Sequence, residues 1–184
     1  ISVLDFNFAS MNNKWFNIQG KATDAVAEVY IFDEIGAYGI SAQEFITEMK
    51  EYKDTPVNLR INCIGGDVFD GMAMYNIIKK REAKTTAYIE GIAASMGSVI
   101  ALAADEVVMA ENSLFMIHNA WGGAMGEAED MRKTASVLEK ISGEIASIYK
   151  RKTRLSLDRI TDMMDEETWL NAEEAYELGF VDTI

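Results

Sequence analysis

The sequence is short of residues that form covalent or metal-based cross-links, because it contains one cysteine, Cys63, and one histidine, His118. A single thiol cannot form an intramolecular disulfide, and structural zinc sites use four Cys or His ligands. We therefore expect neither a disulfide framework nor a zinc cluster. Such sparse cysteine usage favours a reducing, cytoplasmic compartment.

Positive charge is also scarce, since the chain has 17 Lys and Arg residues against 30 Asp and Glu residues, and its formal net charge is -13. That excess repels phosphate backbones and anionic lipids, so nucleic acids and membranes are disfavoured as partners. The uncharged run 91–104 would span roughly 21 Å as a helix, short of the ~30 Å core of a bilayer. It indicates a buried element.

The N-terminus lacks the basic region and the apolar core of a secretory signal. Residues 11–14 (MNNK) are typical of a natural start, so we expect residues 1–10 to be an upstream extension or a cloning remnant. The length of 184 residues favours one domain. We assign residues 1–25 to an N-terminal extension and first strand, and residues 26–184 to the domain itself.

Strand and helix patterns alternate along the chain. Strands are predicted at 26–35, 57–63, 85–89, 106–109 and 114–117, and helices at about 41–52, 67–78, 95–104, 127–152, 156–164 and 171–178. This order predicts an α/β domain with a mostly parallel sheet covered by helices.

Ser95 lies in residues 91–98 (GIAASMGS), at a predicted turn from strand to helix. Taken alone, these small residues are typical of close packing against a neighbouring backbone. A serine at such a turn can also be an exposed nucleophile, beside a helix N-terminus whose free N–H groups stabilise an anion.

His118 ends a predicted strand, where a lone histidine is more often a structural hydrogen-bonding group. A serine hydroxyl needs an adjacent base to act as a nucleophile, and histidine titrates in the suitable range. Because the chain has one histidine, any Ser–His couple must use His118.

The turn 63–67 (CIGGD) joins a predicted strand to a helix. Gly65 and Gly66 either supply positive φ angles for a tight turn or bring an N–H to a reacting carbonyl, as an oxyanion hole requires. The Lys-Ser/Thr of a phosphate-binding loop is missing. Cys63 is expected to be an inert buried thiol.

A catalytic histidine needs an acceptor that orients its ring. The run 162–167 (DMMDEE) offers several carboxylates, although taken alone it is more typical of a solvated helix end. The residues by themselves do not choose among them.

Taken together and in order, these motifs resemble the ClpP family of self-compartmentalising serine peptidases. Residues 91–98 resemble its nucleophile motif, 116–118 its histidine motif, 65–66 its Gly-Gly turn, and 167–175 with 178–182 its C-terminal block. The resemblance covers about 26–184. It implies a ClpP/crotonase-like α/β spiral of βαβ units in a single domain, with a long handle helix.

The resemblance also implies a set of site residues, which are Ser95 as nucleophile, His118 as base, the backbone N–H groups of Gly66 and Met96 as oxyanion hole, and Glu167 as the acidic member of the triad. The family's usual acid is Asp, so Asp165 and Glu166 remain alternatives. The usual Ser-Pro before the glycines is Cys63-Ile64 here.

These departures, with residues 67–71 (DVFDG) and 167–170 (ETWL), look most like the ClpP-like peptidases of phages and prophages, which are thought to act in capsid (head) maturation. The resemblance implies a serine endopeptidase that needs no cofactor or metal and acts in the cytoplasm of a bacterial host. Implied partners are a peptide or protein substrate, further copies in a heptameric or tetradecameric ring, and an AAA+ unfoldase or a phage scaffold or portal protein. The ring-to-ring handle would be residues 121–152.

Two other classes stay open. A crotonase-type enzyme acting on acyl-thioesters would also use paired backbone N–H groups, but it has no need of a Ser–His couple. A non-catalytic ring subunit would keep the fold without turnover.

Overall fold

One mixed sheet of seven strands organises residues 14–184, the part of the chain that the computed structural model describes. The strands are β1 (Phe16–Gln19), β2 (Ala27–Ile31), β3 (Val57–Cys63), β4 (Thr85–Ala94), β5 (Glu106–Met109), β6 (Leu114–Ile117) and β7 (Thr168–Leu170). The helices are α1 (Ala42–Met49), α2 (Val68–Lys79), α3 (Met96–Ala101), α4 (Ala128–Lys152), α5 (Leu157–Asp165) and α6 (Ala172–Glu177).

The strand order is β1-β2-β3-β4-β6-β7, and β5 also pairs with β4. Strands β2 to β6 pair in parallel, whereas β1 and β7 join their neighbours antiparallel. Helices supply the crossovers that parallel neighbours need. The α/β prediction, with a mostly parallel sheet and a long helix, is confirmed.

Strand β4 is long enough to have two neighbours along one edge. Its first part pairs with β5 and its last three residues pair with β6. Because β3, β4 and β6 are parallel, the segments that follow them emerge at the same edge of the sheet. That edge carries the candidate site.

The core forms where alternate strand residues meet the helices. In β3 the inward positions are Val57, Leu59, Ile61 and Cys63, all buried. Helix α4 contributes its C-terminal part, through Ile145, Ala146, Ile148 and Tyr149, while its N-terminal turns are largely exposed.

The largest differences from the predicted boundaries concern β2, β4 and α3, and β7 is absent from the predicted strands. Strand β2 ends at Ile31, and Ile35 instead forms a single parallel bridge with Gly66. Strand β4 runs to Ala94, beyond the predicted end at residue 89, because its second half pairs with β6. Helix α3 ends at Ala101, although residues 102–104 remain buried.

At the N-terminal end of the described range, Trp15 and Phe16 are buried in the core and β1 pairs with β2. The division between residues 25 and 26 stays a prediction, and residues 1–10 lie outside the described residues. Over residues 14–184, no helix combines the length and the apolar character needed to span a membrane.

Candidate active site

The predicted site residues meet at the carboxyl edge of the sheet. Gly65 and Gly66 follow β3, Ser95 follows β4 and His118 follows β6. Glu167 immediately precedes β7, whose first residue, Thr168, pairs with Ile117. Since β7 is antiparallel to β6, its beginning lies beside the end of β6, which brings Glu167 next to His118.

Ser95 occupies a strained turn between β4 and α3, with φ 52° and ψ -125°. A positive φ at a residue other than glycine costs on the order of 1–3 kcal/mol and persists only where the surroundings enforce it. Here the Ser95 N–H donates to Met116 O at 3.1 Å, and the Ser98 N–H donates to Ser95 O at 3.0 Å. The turn therefore directs the Ser95 hydroxyl into a cleft.

The hydroxyl of Ser95 lies 2.7 Å from His118 Nε2, a short hydrogen bond. The His118 side chain is only 17% exposed, so little water competes for that contact. The sequence-predicted pair thus has the geometry in which an imidazole removes a proton from a serine hydroxyl.

The other ring nitrogen of His118 faces Glu167 at a greater distance. His118 Nδ1 lies 3.9 Å from Glu167 Oε2, which is longer than a hydrogen bond but within ion-pair range. The Glu167 side chain is 58% exposed, and its Oε1 accepts a 3.3 Å hydrogen bond from Trp169 Nε1. Glu167 also has a positive φ of 50°.

The two alternative carboxylates lie elsewhere on the same turn. Asp165 Oδ1 accepts a 2.6 Å hydrogen bond from Asn119 Nδ2, which ties this turn to the residue after His118. Glu166 caps the C-terminus of α5 and is exposed. Glu167 is therefore the carboxylate that the structure brings beside the imidazole.

The Gly65-Gly66 turn has space for glycine only. Both residues have positive φ, at 109° and 136°. A Cβ on Gly66 would lie 2.6 Å from Ile35 N and closer still to Ile35 O, and one on Gly65 would lie 2.7 Å from Ser95 Cβ. The turn is anchored because Ile35 N donates to Gly65 O at 2.7 Å and Asp67 N donates to Ile35 O at 3.0 Å.

Gly66 and Met96 both line the cleft that contains Ser95. Met96 is the first residue of α3, and the first N–H groups of a helix have no acceptor within that helix. Both residues thus lie beside Ser95, in the cleft where an oxyanion hole would need backbone donors.

Cys63 supports the glycine turn from beneath. Its Sγ receives the Gly65 N–H at 3.4 Å and donates to Gly65 O at 3.6 Å. Burial raises the pKa of this thiol to about 11, so it stays protonated at neutral pH. The thiol is thus buried, as predicted, and it bonds both backbone polar groups of Gly65.

The cleft has a volume of about 410 Å³. Glu34 and Asp67 line it, together with apolar side chains from four segments. The apolar residues are Ile64, Val68, Phe69, Met96, Val99, Met116, Trp121 and Ile145, with the ring of Tyr149. Within residues 14–184, no three His, Cys, Asp or Glu side chains are grouped as ligands of a metal ion.

Sequence reasoning did not find the part of the lining that comes from the region after His118. Trp121, Ile145 and Tyr149 line the cleft, the last two from α4. The spacing of Ile145 and Tyr149 indicates one face of a helix, but a helix pattern does not reveal which partner that face packs against.

The sequence model of the Clp protease family matches residues 14–184. The chain belongs to the Clp protease family. Similar curated relatives include the ATP-dependent Clp protease proteolytic subunit 1 of Salinibacter ruber, 33% identical over 73% of this chain and 58% of the relative. The ATP-dependent Clp protease proteolytic subunit of Deinococcus radiodurans is 30% identical over 70% of this chain and 64% of the relative.

The chain therefore matches roughly three fifths of the length of these relatives (58% and 64%). Among solved structures, a ClpP1 mutant from Listeria monocytogenes is similar, with a TM-score of 0.76 and 25% identity, covering 85% of this chain and 90% of that one. The Clp fold is thus confirmed for this chain. The relation to crotonases stays a prediction.

Proposed function

We propose that this Clp protease family member is a serine endopeptidase with Ser95 as nucleophile and His118 as general base. The observation that carries the proposal is the 2.7 Å hydrogen bond between Ser95 Oγ and His118 Nε2. It lies in a cleft that Gly66 and Met96 also line, and we propose their backbone N–H groups as the donors of the oxyanion hole. A structural histidine would not require a strained serine as its partner.

In the proposed reaction, His118 accepts the Ser95 proton as Ser95 Oγ attacks a peptide carbonyl carbon. The N–H groups of Gly66 and Met96 stabilise the oxyanion of the tetrahedral intermediate. His118 then protonates the leaving amine, and the C–N bond breaks to give the acyl-enzyme. A water molecule, deprotonated by His118, hydrolyses the ester and restores Ser95. The cycle uses no metal or cofactor.

Glu167 is the proposed third member, which orients the Nδ1–H of His118 and stabilises the imidazolium. At 3.9 Å its interaction is electrostatic and not a full hydrogen bond. Hydrogen bonds of catalytic groups often tighten only when substrate is bound. The exposed Glu167 side chain has the freedom to make that adjustment.

We further propose that the active form is a homo-oligomeric ring, heptameric or tetradecameric, with residues 121–152 as the handle between rings. In the single chain this segment exposes large apolar side chains, and Trp121 is 83% exposed. Such exposure favours contacts with another protein surface. The ring would work in the cytoplasm on peptide or protein substrates, with an AAA+ unfoldase as the partner that delivers them.

A finer proposal concerns the biological role. The Cys63-Ile64 pair before the glycines and the Glu at residue 167 depart from the usual family pattern and match the phage and prophage type. On that sequence argument we propose a role in capsid maturation, with a scaffold or portal-associated protein as substrate. Incubation of the assembled protein with a phage scaffold protein tests this role, since wild type should cleave the scaffold and Ser95→Ala should not.

A fluorophosphonate probe tests the peptidase proposal directly. We expect labelling of the assembled protein at Ser95, and its loss in Ser95→Ala and His118→Ala. In the same two variants, kcat for peptide hydrolysis should decrease by a factor on the order of 10⁴–10⁶, because nucleophile and base act as a unit. Hydrolysis of an acyl-thioester by the Ser95→Ala variant would indicate the crotonase-type alternative. No labelling of natively assembled wild type would instead indicate a non-catalytic ring subunit.

A further inference from the structure

Two buried hydroxyls form a chain beneath the candidate nucleophile. Ser98 Oγ lies 2.6 Å from the backbone oxygen of Ser95 and 2.8 Å from the hydroxyl of Tyr149. Ser98 and Tyr149 are both 0% exposed. Ser98 belongs to α3 and Tyr149 to α4, so the contact joins residues that are 51 positions apart in the sequence.

The donor and acceptor in each of these two hydrogen bonds follow from the chemistry of the groups. The carbonyl oxygen of Ser95 can only accept a hydrogen bond, so the single O–H of Ser98 must donate to it. Ser98 Oγ is then the acceptor for Tyr149, whose O–H donates. Burial raises the pKa of the Tyr149 phenol, so this donor keeps its proton.

The Ser95 carbonyl and the Met96 N–H belong to the same planar peptide unit. Fixing the direction of the carbonyl therefore fixes the direction of the N–H that is proposed for the oxyanion hole. Three donors converge on this oxygen: Ser98 N at 3.0 Å, Val99 N at 3.3 Å and Ser98 Oγ at 2.6 Å. The hydroxyl is the closest of the three.

Tyr149, at the far end of this series of hydrogen bonds, is itself held in place by its neighbours. The Tyr149 ring packs edge-to-face against Phe180 with centroids 5.9 Å apart, and Phe180 contacts Phe115 of β6 at 5.2 Å. Thr153 Oγ1 donates to Tyr149 O at 3.1 Å. Tyr149 therefore presents its hydroxyl from a rigid position between α4, the C-terminal segment and the sheet.

We propose that Ser98 and Tyr149 are positioning residues that orient the Met96 N–H toward the oxyanion by holding the Ser95 carbonyl. The inference rests on the proposed peptidase function. Neither residue touches the reacting atoms through its hydroxyl. Their effect should appear in the rate of the chemical step and not in the binding of a probe or substrate.

The test measures fluorophosphonate labelling of Ser95 as a function of probe concentration. We expect Ser98→Ala to lower the maximal labelling rate about 10-fold, less than the 10²–10³-fold typical for outright loss of an oxyanion donor. The half-saturating probe concentration should stay within about twofold. Tyr149→Phe, which keeps the ring and the cleft lining, should give about a 3-fold loss on the same argument.

The double variant provides the discriminating readout. Because Tyr149 acts through Ser98, the combination of Tyr149→Phe and Ser98→Ala should label no more slowly than Ser98→Ala alone. Two residues that stabilise the fold independently would give additive losses. Additive losses would therefore overturn the proposal.

Ser113→Ala is the matched control. Ser113 is 1% exposed and its hydroxyl donates to Ala110 O, three residues back, as that of Ser98 does to Ser95 O. It does not line the cleft, so its removal should leave labelling unchanged. Equal losses in Ser98→Ala and Ser113→Ala, matched by equal losses in Tm, would identify general destabilisation and overturn the inference.

The remaining outcomes separate this inference from the proposed function. Wild-type labelling rates in folded Ser98→Ala and Tyr149→Phe would overturn the inference and leave the peptidase proposal standing. No labelling of the wild type would overturn both. Since Tyr149→Phe leaves no buried donor unpaired, because the Ser98 hydroxyl still donates to Ser95 O, it remains informative even if Ser98→Ala folds poorly.

Discussion

The two nitrogens of the His118 ring face very different surroundings. On the Nε2 side, Ser95 lies 2.7 Å away in a turn whose backbone is held by β6 and by α3. On the Nδ1 side, Glu167 lies 3.9 Å away on an exposed turn between α5 and β7. The Ser95 backbone is fixed by hydrogen bonds on both sides, whereas the pairing of β7 with β6 brings Glu167 near the ring but leaves its side chain exposed.

This difference follows from how each residue is supported. Ser95 is close to Gly65, which has no space for a side chain. The backbone of Ser95 is hydrogen-bonded to the backbones of Met116 and Ser98. Glu167 carries a flexible side chain that lies near the imidazole and accepts a hydrogen bond from Trp169. We therefore expect the nucleophile side to tolerate little change and the acid side to tolerate more.

After substitution of Ser95 or His118 themselves, we expect Gly66→Ala to cause the largest loss of activity. The new methyl would lie 2.6 Å from Ile35 N, and the residue would be forced to keep a φ of 136°. We expect loss of a correctly placed donor, and hence a decrease in kcat of about 10²-fold or more. The measurement is peptide hydrolysis together with thermal unfolding.

Gly143→Ala is the matched control, because nothing lies within 4 Å of a Cβ at that position in α4. Alanine favours helix over glycine by about 0.8–1 kcal/mol, so this variant should be at least as stable as wild type. A Gly66→Ala variant with wild-type activity would contradict the assignment of this turn to the oxyanion hole.

The acid side is tested by Glu167→Gln, which removes the charge and preserves the shape. Because the carboxylate is exposed and distant, we expect a decrease in kcat/KM of about 10–10³-fold, smaller than the ~10⁴-fold known for a tightly bonded triad aspartate. Glu167→Asp should also lower activity, since its shorter side chain moves the carboxylate further from His118. Steady-state kinetics on a fluorogenic peptide provides the readout.

The comparison variant is Asp165→Asn, which keeps an oxygen to accept the Asn119 hydrogen bond. Its activity should stay within about threefold of wild type, the scale of a modest change in one hydrogen bond. If Asp165→Asn lost more activity than Glu167→Gln, Asp165 would replace Glu167 as the orienting carboxylate.

The smallest expected effect concerns Cys63, which braces the glycine turn. Its pKa is raised to about 11 in the folded chain, whereas an unfolded thiol ionises near 8.5. The protonated thiol therefore stabilises the folded state. Its contribution to the free energy of unfolding is complete below about pH 8.5 and decreases as the pH rises toward 11. We expect no alkylation by iodoacetamide at pH 8 without denaturant.

Urea unfolding of wild type and Cys63→Ala at pH 7, 8.5 and 10 isolates this contribution. The free energy of unfolding should fall more steeply with pH in the wild type, by at most about 1.4 kcal/mol per pH unit. Parallel curves for the two proteins, or rapid alkylation of the native thiol, would show that the thiol is not protected.

Much of the architecture could be predicted because it depends on local patterns. Strand β3 matches its predicted bounds, 57–63, since its alternation of apolar and polar residues is regular. Strand β4 was predicted too short because Glu90 and Gly91 interrupt the pattern, whereas pairing with β6 extends the strand to Ala94. Long-range pairing outweighed local propensity there.

The sequence by itself determined the fold class, the single histidine that could serve as a base, and the glycine turn. There is one histidine to use, and two adjacent glycines indicate a backbone geometry that other residues disfavour. Only the tertiary structure decided which carboxylate lies beside His118 and that Tyr149 reaches Ser98 across 51 positions. Those contacts depend on how β7 and α4 pack against the sheet, and spacing along the chain carries no information about non-local packing.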